Sequence, residues 1–294
     1  MTSERGSRSA GVVGWPIDHS RSPIIHRHWL EKYKIAGTYD RRAVHLDQAE
    51  SFFGDFKSNG WVGCNVTVPH KETAYRLAHR RHPSADAVQA ANTLWLEGDQ
   101  LCAENTDTYG FMKHLDVSVP SWRETSSSVL ILGAGGAARA IAYGFVQAGI
   151  ERITIANRTA RRAIELAQAV QPVQIKPAAW EERQKISETA DIIINTTTLG
   201  MAKSDNATAD TNQLGLDLSR REKPERAIVS DIVYVPLQTP LLAHAKACGH
   251  RTVDGLGMLL HQAVPGFERW FGTRPEVTAE LRDLVLADIG ATSC

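Results

Sequence analysis

Polar residues near the end of one apolar stretch could form a ligand-binding face. The segment Trp61 to Val68 predicts a strand, which places Asn65 and Thr67 on the same face, and Lys71 lies just beyond it at the start of a helix. An amide, a hydroxyl and an ammonium group at one strand end are typical of a site for a small polar ligand. An exposed strand edge followed by a solvated lysine would give the same local pattern.

Two serines precede the first predicted helix. Ser20 and Ser22 flank Arg21, and Ser22 followed by Pro23 predicts a helix whose N-cap is Ser22. The unpaired N–H groups at a helix N-terminus favour an anion, so a carboxylate would suit this position. Simple capping by one serine explains this stretch equally well.

A glycine-rich turn follows a short apolar run. The buried strand Val129–Leu132 enters the turn Gly133 to Arg139, after which apolar residues continue at helical spacing. Gly133 would allow the sharp turn, Gly135 would let the backbone approach a pyrophosphate, and Ala138 stands where a third glycine is common. The context of strand, turn and helix favours a dinucleotide-binding unit over a plain tight turn.

The next predicted strand ends in a basic turn. Arg152–Ala156 reaches the position about 20 residues after the glycines where a site for NAD usually carries Asp or Glu. Here Asn157-Arg158-Thr159 follows, with Arg161 and Arg162 close behind. Guanidinium groups suit a ribose 2'-phosphate, so the turn favours NADP, although one of the two later arginines is expected to lie on a solvated helix face.

The apolar pattern predicts the elements that would position these residues. Strands at Gly11–Trp15 and Tyr39–Val44 alternate with helices before the glycine turn. Polar and charged residues from Ser204 to Pro224 interrupt the later pattern, and we expect them to form a mobile excursion. Later predicted elements include the strands Asp191–Asn195, Ile228–Asp231 and His250–Val253 and the helices Met258–Phe271 and Glu276–Ile289.

Composition and charge exclude several classes of protein. The 294 residues suggest two domains of ordinary size. Lysine plus arginine and aspartate plus glutamate both number 33, which gives no electrostatic indication of a nucleic-acid or membrane partner. No apolar run approaches a membrane span, and Met1 to Ala10 lacks the apolar segment of a secretion signal. We therefore expect a cytoplasmic protein.

The cysteines indicate no metal or disulfide chemistry. They lie far apart, and none forms a Cys-x-x-Cys pair, so neither a zinc site nor a disulfide framework is expected. The four positions are Cys64, Cys102, Cys248 and Cys294.

Taken together, these motifs closely resemble those of the shikimate dehydrogenase family. Members of that family are NADP-dependent reductases of 3-dehydroshikimate on the route to chorismate and the aromatic amino acids. The resemblance runs over nearly the whole chain, and eight motifs in the expected order are far more specific than any single one. The matching segments are Gly14 to Pro23, Asn65 to Glu72, Ala91 to Leu94, Asn105 to Asp107, Gly133 to Arg139 with Asn157 to Thr159, Ile194 to Thr197, Asp231 to Pro236, and Asp254 to Leu259 with Gln262.

The resemblance implies an α/β fold of two domains. Residues 1–109 would form an N-terminal α/β substrate-binding domain, completed by C-terminal helices from residues 258–294 that cross back to it. Residues 110–257 would form a Rossmann-type NADP-binding domain. The substrate site would then lie in a cleft between the domains.

The resemblance also implies residue roles. Lys71 and Asp107 would be the catalytic pair, with Lys71 supplying a proton to the alkoxide that forms when the cofactor delivers its hydride. The implied substrate-binding residues are Ser20, Ser22 and Thr67 for the carboxylate, assisted by Tyr234, and Asn65, Asn92 and Gln262 elsewhere on the substrate. The implied cofactor-binding residues are Gly133, Ala134, Gly135, Gly136, Ala137, Asn157, Arg158, Thr159, Arg162, Ile232, Gly255 and Met258.

Some features leave alternatives open. Thr108 replaces a glycine that is frequent in the family and could alter the bend after Asp107. The substrate-side residues do not exclude quinate, so a quinate or shikimate dehydrogenase that also uses NAD is the nearest rival. A non-catalytic NADP-binding module is a more remote one. We expect a monomer or a homodimer.

Overall fold

The computed structural model describes residues 7–170, 175–201, 213–223 and 225–292. The chain divides into two compact units, of which unit 1 comprises Met1–Gly110 and Leu260–Cys294 and unit 2 comprises Phe111–Leu259. Each unit contains one six-stranded sheet. Within the described ranges, no helix is long and apolar enough to cross a membrane.

Unit 1 is built on a mixed sheet. Its strands are β1 (Arg8–Gly14), β2 (Gly37–Ala43), β3 (Gly63–Val66), β4 (Arg80–Arg81), β5 (Thr93–Glu97) and β6 (Gln100–Glu104). Its first helices are α1 (Ser22–Lys32), α2 (Ala49–Gly54), α3 (Lys71–Leu77) and α4 (Pro83–Val88), and short 3-10 turns cover Leu46–Gln48 and Phe56–Asn59.

The strand directions in unit 1 bring several loops to one edge. The order is β2-β1-β3-β5-β6-β4. β1 is parallel to β2 and β3, whereas β5 is antiparallel to both β3 and β6. β1, β3 and β6 therefore run in the same direction, and their carboxyl ends lie at the same edge of the sheet.

Unit 2 is built on a parallel sheet. Its strands are β7 (Ser128–Leu132), β8 (Arg152–Asn157), β9 (Ile175–Ala179), β10 (Ile192–Asn195), β11 (Ile228–Asp231) and β12 (Arg251–Val253). Its helices are α6 (Trp122–Thr125), α7 (Gly136–Gln147), α8 (Ala160–Ala169), α9 (Arg183–Ser187) and α10 (Pro240–Ala247), and a 3-10 turn covers Trp180–Glu182. Two helices cross the unit boundary along the chain, α5 (Asp107–Ser118) and α11 (Leu256–Phe271), and α12 (Ala279–Thr292) belongs to unit 1.

The sheet of unit 2 has the order of a doubly wound dinucleotide-binding fold. The order is β12-β11-β10-β7-β8-β9, and every neighbouring pair is parallel. Val129 and Ile131 of β7 pack into one core, and Leu130 and Leu132 pack into the core on the opposite face. Burial on both faces explains why this strand is a continuous apolar run. The strand order reverses between β7 and β10, which is where such folds bind ligands.

The described part of the Ser204 to Pro224 segment is not an excursion. Residues 204–212 and 224 lie outside the described residues. In the remainder, Leu214, Leu216 and Leu218 are buried in the core that contains α10. The expectation of an excursion is therefore wrong for residues 213–223, because three leucines at alternate positions anchor a stretch whose composition is otherwise polar.

The strand predicted from Trp61 to Val68 is shorter in the structure. Pairing covers only β3, which ends at Val66 opposite Val13 of β1. Thr67 follows the strand, although its N–H still donates to the carbonyl of Val13 at 2.9 Å. Asn65 and Thr67 are therefore not two members of one strand face.

Candidate active site

An ion pair lies at the carboxyl edge of the sheet in unit 1. Lys71 is the first residue of α3, shortly after β3, and Asp107 is the first residue of α5, shortly after β6. Lys71 Nζ lies 2.6 Å from Asp107 Oδ2, and the side chains are 30% and 14% exposed. The first residues of two helices, 36 positions apart in sequence, thus place an ammonium and a carboxylate in contact, with the ammonium still partly accessible.

Asn92 connects this pair to a third element. Its Nδ2 donates to Asp107 Oδ1 at 2.8 Å and to Gln262 Oε1 of α11 at 3.4 Å. Its Oδ1 accepts from the N–H of Thr106 at 2.8 Å and from the Thr106 hydroxyl at 3.0 Å. Because its oxygen is held by donors, the Asn92 amide has one orientation, with the nitrogen toward Asp107 and Gln262.

The Asn65 side chain is hydrogen-bonded to other protein groups. Its side chain is buried; Oδ1 accepts from the Tyr39 hydroxyl at 2.6 Å, and Nδ2 donates to the Asn92 carbonyl at 3.2 Å and to Thr93 Oγ1 at 3.3 Å. Direct substrate binding by Asn65 stays a prediction, and its hydrogen bonds indicate a supporting position.

The serine loop differs from the expected cap. α1 begins at Ser22 itself, its N-cap is Arg21, and no side chain caps it. The prediction that Ser22 is the N-cap is therefore wrong by one residue. Ser20 Oγ accepts a long bond, 3.4 Å, from the Ser22 N–H, and the guanidinium of Arg41 donates to the Ser20 carbonyl at 3.0 and 2.6 Å. The loop is fixed through its backbone, and the Ser22 hydroxyl is not consumed by helix capping.

The glycine turn in unit 2 requires glycine at Gly133. Its φ is +106°, and a Cβ there would lie 2.7 Å from the Thr196 hydroxyl and 3.0 Å from Thr197 Cγ2. The close approach of the loop after β10 leaves no room for a side chain. Gly135 and Gly136 differ, because both are exposed and a Cβ on either would meet nothing within 4 Å.

Exposed backbone at Gly135 and Gly136 forms the start of α7. Gly135 is the N-cap, and no side chain caps the helix. Ala134 and Ala137 are half-buried, and Ala138 is fully buried. A helix N-terminus of this kind favours an anion such as a pyrophosphate. The buried Ala138 closes the packing of α7 on the sheet, the role of the third glycine in this motif.

The basic turn ends β8. Asn157 is half-buried, and its Nδ2 donates to the Thr159 carbonyl at 3.0 Å, which closes the turn. Arg158, Thr159 and Arg162 are exposed. Arg161 pairs along α8 with Glu165 at 3.1 Å. Of the two later arginines, Arg161 has the contacts of a solvated helix face.

Two residues of the predicted nicotinamide region, Gly255 and Ile232, lie close together, and Met258 packs against the same core as Ile232. A Cβ on Gly255 would lie 2.3 Å from the Ile232 carbonyl oxygen, so only glycine allows this approach. Ile232 and Met258 are partly buried and pack against the same core. Tyr234 lies two residues beyond Ile232, is half-buried and belongs to unit 2.

A buried polar network holds the loop that carries Ile232. Asn195 Nδ2 donates to Asp231 Oδ1 at 2.9 Å, the Val233 N–H donates to the same oxygen at 3.0 Å, and the Thr239 hydroxyl donates to Asp231 Oδ2 at 2.7 Å. Burial raises the pKa of Asp231 to about 6, against the opposing effect of the three donors. The sequence marks Asn195 and Asp231 as family motifs without a role, and the structure gives them a positioning one.

The sequence missed residues that support the ion pair. Asn105 Oδ1 accepts from the Asp107 N–H at 3.1 Å, and its Nδ2 donates to the Ala90 carbonyl at 3.1 Å. Asn105 and Thr106 directly precede Asp107, and this position could have indicated a supporting role. Tyr39 gave no signal, because it looks like an ordinary buried strand residue and lies 26 positions from Asn65.

Sequence profiles of three families match the chain. The profile of the shikimate dehydrogenase substrate binding domain matches residues 12–94, and that of shikimate / quinate 5-dehydrogenase matches residues 118–232. The profile of the shikimate 5'-dehydrogenase C-terminal domain matches residues 255–280.

Relatives and solved structures match over nearly their full length. The shikimate dehydrogenase (NADP(+)) of Azorhizobium caulinodans is 48% identical over 284 residues, which are 97% of this chain and 98% of the relative. The crystal structure of shikimate 5-dehydrogenase from Thermus thermophilus with NADP(H) and shikimate has a TM-score of 0.78 at 28% identity, covering 98% of this chain and all (100%) of that one. Quinate dehydrogenase from Corynebacterium glutamicum with NAD has a TM-score of 0.83 at 28% identity, covering 96% and 99%.

Proposed function

This chain belongs to the shikimate dehydrogenase family, and from that premise we propose that it catalyses the reversible NADPH-dependent reduction of 3-dehydroshikimate to shikimate. The reaction is a step on the route to chorismate and the aromatic amino acids. The observation that carries the proposal is the 2.6 Å pair of Lys71 and Asp107, which Asn92 connects to Gln262. Ketone reduction needs a proton donor of this kind.

Unit 1 is proposed to bind the substrate. Ser20, Ser22 and Thr67 follow β1 and β3 at the edge of the sheet where Lys71 and Asp107 also lie, and their hydroxyls would hold the substrate carboxylate. Asn92, Asp107 and Gln262 would bind the ring hydroxyls, since amide and carboxylate groups offer both donors and acceptors. Tyr234 of unit 2 would assist at the carboxylate.

Lys71 is the proposed general acid and base. In the reductive direction, Lys71 Nζ donates a proton to the carbonyl oxygen as that oxygen becomes an alkoxide, and a proton from solvent then restores the ammonium. In the oxidative direction, neutral Lys71 accepts the proton of the hydroxyl that is being oxidised. Asp107 accepts a hydrogen bond from Lys71 and thereby directs the ammonium group.

Unit 2 is proposed to bind NADP, and its residues fit that group. The exposed N-terminus of α7, with open space above Gly135 and Gly136, suits a pyrophosphate. The exposed Arg158 and Arg162 suit a 2'-phosphate, with Asn157 and Thr159 shaping the turn. Ile232, Gly255 and Met258 would contact the nicotinamide. When bound, the reduced nicotinamide supplies a hydride to the carbonyl carbon.

The cysteines are compatible with a reducing compartment. Cys64, Cys102 and Cys248 are free thiols. Free thiols of this kind are usual in the cytoplasm, where we propose that the enzyme acts.

A substrate-by-cofactor matrix of initial rates tests the proposed function. The purified chain is assayed with shikimate and with quinate, each with NADP and with NAD, by following formation of the reduced cofactor. We expect the highest kcat/KM with shikimate and NADP. Higher kcat/KM with quinate and NAD would favour the activity named for the Corynebacterium glutamicum relative, and no turnover in any combination would favour a binding module.

A further inference from the structure

Tyr39 is a buried phenol that sits next to the candidate active site without belonging to any assigned group. It lies in β2, its side chain is fully buried, and its hydroxyl donates to Asn65 Oδ1 at 2.6 Å. Burial raises the pKa of Tyr39 well above its ordinary value, whereas a contact with the Ser22 hydroxyl acts in the opposite direction. The phenol therefore keeps its proton and is a permanent donor.

The ring of Tyr39 is held by aromatic neighbours. It stacks on His26 with ring centroids 4.0 Å apart and planes 5° apart, and Trp270 lies 6.0 Å away on centroids. Burial lowers the pKa of His26 to about 3, so the imidazole under the phenol is neutral. Close packing of neutral rings fixes where the hydroxyl points.

From Tyr39, a continuous series of hydrogen bonds reaches the ion pair. Asn65 Nδ2 donates to the Asn92 carbonyl at 3.2 Å and to Thr93 Oγ1 at 3.3 Å. Thr93 Oγ1 in turn donates to Asn92 Oδ1 at 3.1 Å. Asn92 Nδ2 then donates to Asp107 Oδ1, and Lys71 donates to the other oxygen of Asp107.

The orientations of the Asn65 and Asn92 amides have one consistent solution. The Asn92 carbonyl can only accept, so Asn65 must present its NH2 group to it and its oxygen to the phenol. Asp107 as a carboxylate can only accept, so Asn92 must present its NH2 group there and its oxygen to Thr93 and Thr106. Tyr39 supplies the donor that satisfies the one remaining acceptor, Asn65 Oδ1. Without that donor Asn65 Oδ1 loses its bond to the phenol inside the core, and the Asn65 amide is held only through its nitrogen.

We propose that Tyr39 is a positioning residue for the Lys71–Asp107 pair, acting through Asn65, Thr93 and Asn92. This proposal rests on the proposed function, because the proposed function gives the Lys71–Asp107 pair its role in turnover. Tyr39 does not touch the reacting atoms. It satisfies Asn65 Oδ1, and Asn65 in turn holds the Asn92 carbonyl and Thr93 Oγ1, beside the Asn92 side chain that holds Asp107.

The first test is Tyr39→Phe with Tyr75→Phe as a matched control. Phenylalanine keeps the ring and removes only the hydroxyl. Tyr75 is in the same unit, and its hydroxyl bonds at the surface to Asp86. We expect Tyr39→Phe to lower kcat for shikimate oxidation about fivefold, as loss of one buried hydrogen bond would. KM for NADP stays unchanged, and Tyr75→Phe behaves as wild type.

A double-mutant cycle separates positioning from general destabilisation. Asn65→Ala alone should lower kcat at least as much as Tyr39→Phe, and adding Tyr39→Phe to it should have almost no further effect. Melting curves verify that the variants are folded. If Tyr39→Phe does not fold, Asn65→Ala carries the test. A Tyr39→Phe variant with wild-type kcat, or one whose loss of kcat persists unchanged in the Asn65→Ala background, overturns the proposal.

A spectroscopic test does not depend on turnover. In the full chain labelled with 15N at asparagine side chains, Tyr39→Phe should shift the NH2 signals of both Asn65 and Asn92, and Tyr75→Phe should shift neither. A shift confined to Asn65 contradicts transmission to Asn92 and overturns the proposal. Lack of shikimate oxidation by the wild type would contradict the proposed function instead, and these signals would still test the hydrogen-bond coupling.

Discussion

The two units prepare their candidate sites in different ways. In unit 1, the groups come from segments that are distant in sequence, and side chains bind one another, as Lys71, Asp107 and Asn92 do. In unit 2, the glycine turn offers exposed backbone at Gly135 and Gly136 that no side chain caps.

This difference determines what a substitution can disturb. A preassembled side-chain site loses function when one functional group is removed, because its neighbours are left without a partner. A backbone site is insensitive to most side chains nearby and sensitive to any atom that fills the space kept for the ligand. The following experiments test that contrast.

The largest effect is expected for Lys71→Ala. Removing the proton donor should lower kcat about a hundredfold or more, while the dissociation constant of NADP stays the same. Steady-state rates and fluorescence titration with NADPH measure the two quantities. Lys57→Ala is the matched control, since Lys57 is in the same unit and pairs with Asp99 at the surface. Full activity of Lys71→Ala would remove the proposed mechanism.

The contrast also explains how much the sequence could predict. The glycine turn and the basic turn are each one continuous stretch of sequence. Local spacing therefore suffices to locate Gly133 and Arg158 and to predict the strand and helix around each turn. The residues of unit 1 were assigned roles through family resemblance, because no local rule links Asn92 to Gln262 across 170 positions. The Tyr39 to Asn65 bond was missed for the same reason.

Errors in the predicted elements have local physical causes. Ser22 has the sequence of an N-cap, yet α1 begins one residue earlier than that prediction requires. Residues 213–223 look like solvent-exposed chain by composition, and only the fold reveals that Leu214, Leu216 and Leu218 reach a core. Composition averages over a segment, whereas packing depends on individual positions.

Gly135→Ala should impair cofactor binding while leaving the fold intact. The φ of Gly135 is −92°, and an added Cβ would meet nothing within 4 Å, so the free energy of unfolding should not fall. A pyrophosphate held against this backbone would collide with the methyl group, and we expect KM for NADP to rise about tenfold or more.

The control for Gly135→Ala is Gly54→Ala, another site where the added Cβ has open space. It should leave both KM values unchanged. An unchanged KM for NADP in Gly135→Ala would contradict a backbone phosphate site at the start of α7. Thermal melts of both variants check that a change in KM does not come from loss of structure.

Arg158→Ala should reduce the preference for NADP. A charge-assisted bond to a 2'-phosphate is absent with NAD, so KM for NADP should rise about tenfold while KM for NAD stays constant. Arg161→Ala is the control, because Arg161 pairs with Glu165 on the exposed face of α8. Equal changes of KM for both cofactors in Arg158→Ala would point to a general effect of charge.

The last prediction concerns the stability of the buried aromatic cluster of unit 1, and its effect appears only in acid. Burial lowers the pKa of His26 from 6.5 to about 3. Between these values the unfolded chain binds a proton at this position and the folded chain does not. Stability from His26 is therefore present above pH 6.5 and is lost as the pH falls, by about 1.4 kcal/mol per pH unit.

Urea unfolding at neutral pH and at about pH 4.5 tests this link between the pKa of His26 and the free energy of unfolding. The lowered pKa of one buried ring makes the stability of unit 1 sensitive to acid. His26→Phe keeps an aromatic ring against Tyr39 but cannot bind a proton, so its free energy of unfolding should fall less in acid than that of the wild type. His45→Phe, at an exposed histidine of the same unit, should follow the wild type. If His26→Phe and the wild type lose the same free energy between the two pH values, the neutral buried imidazole is not the cause, and the support for Tyr39 must come from packing alone.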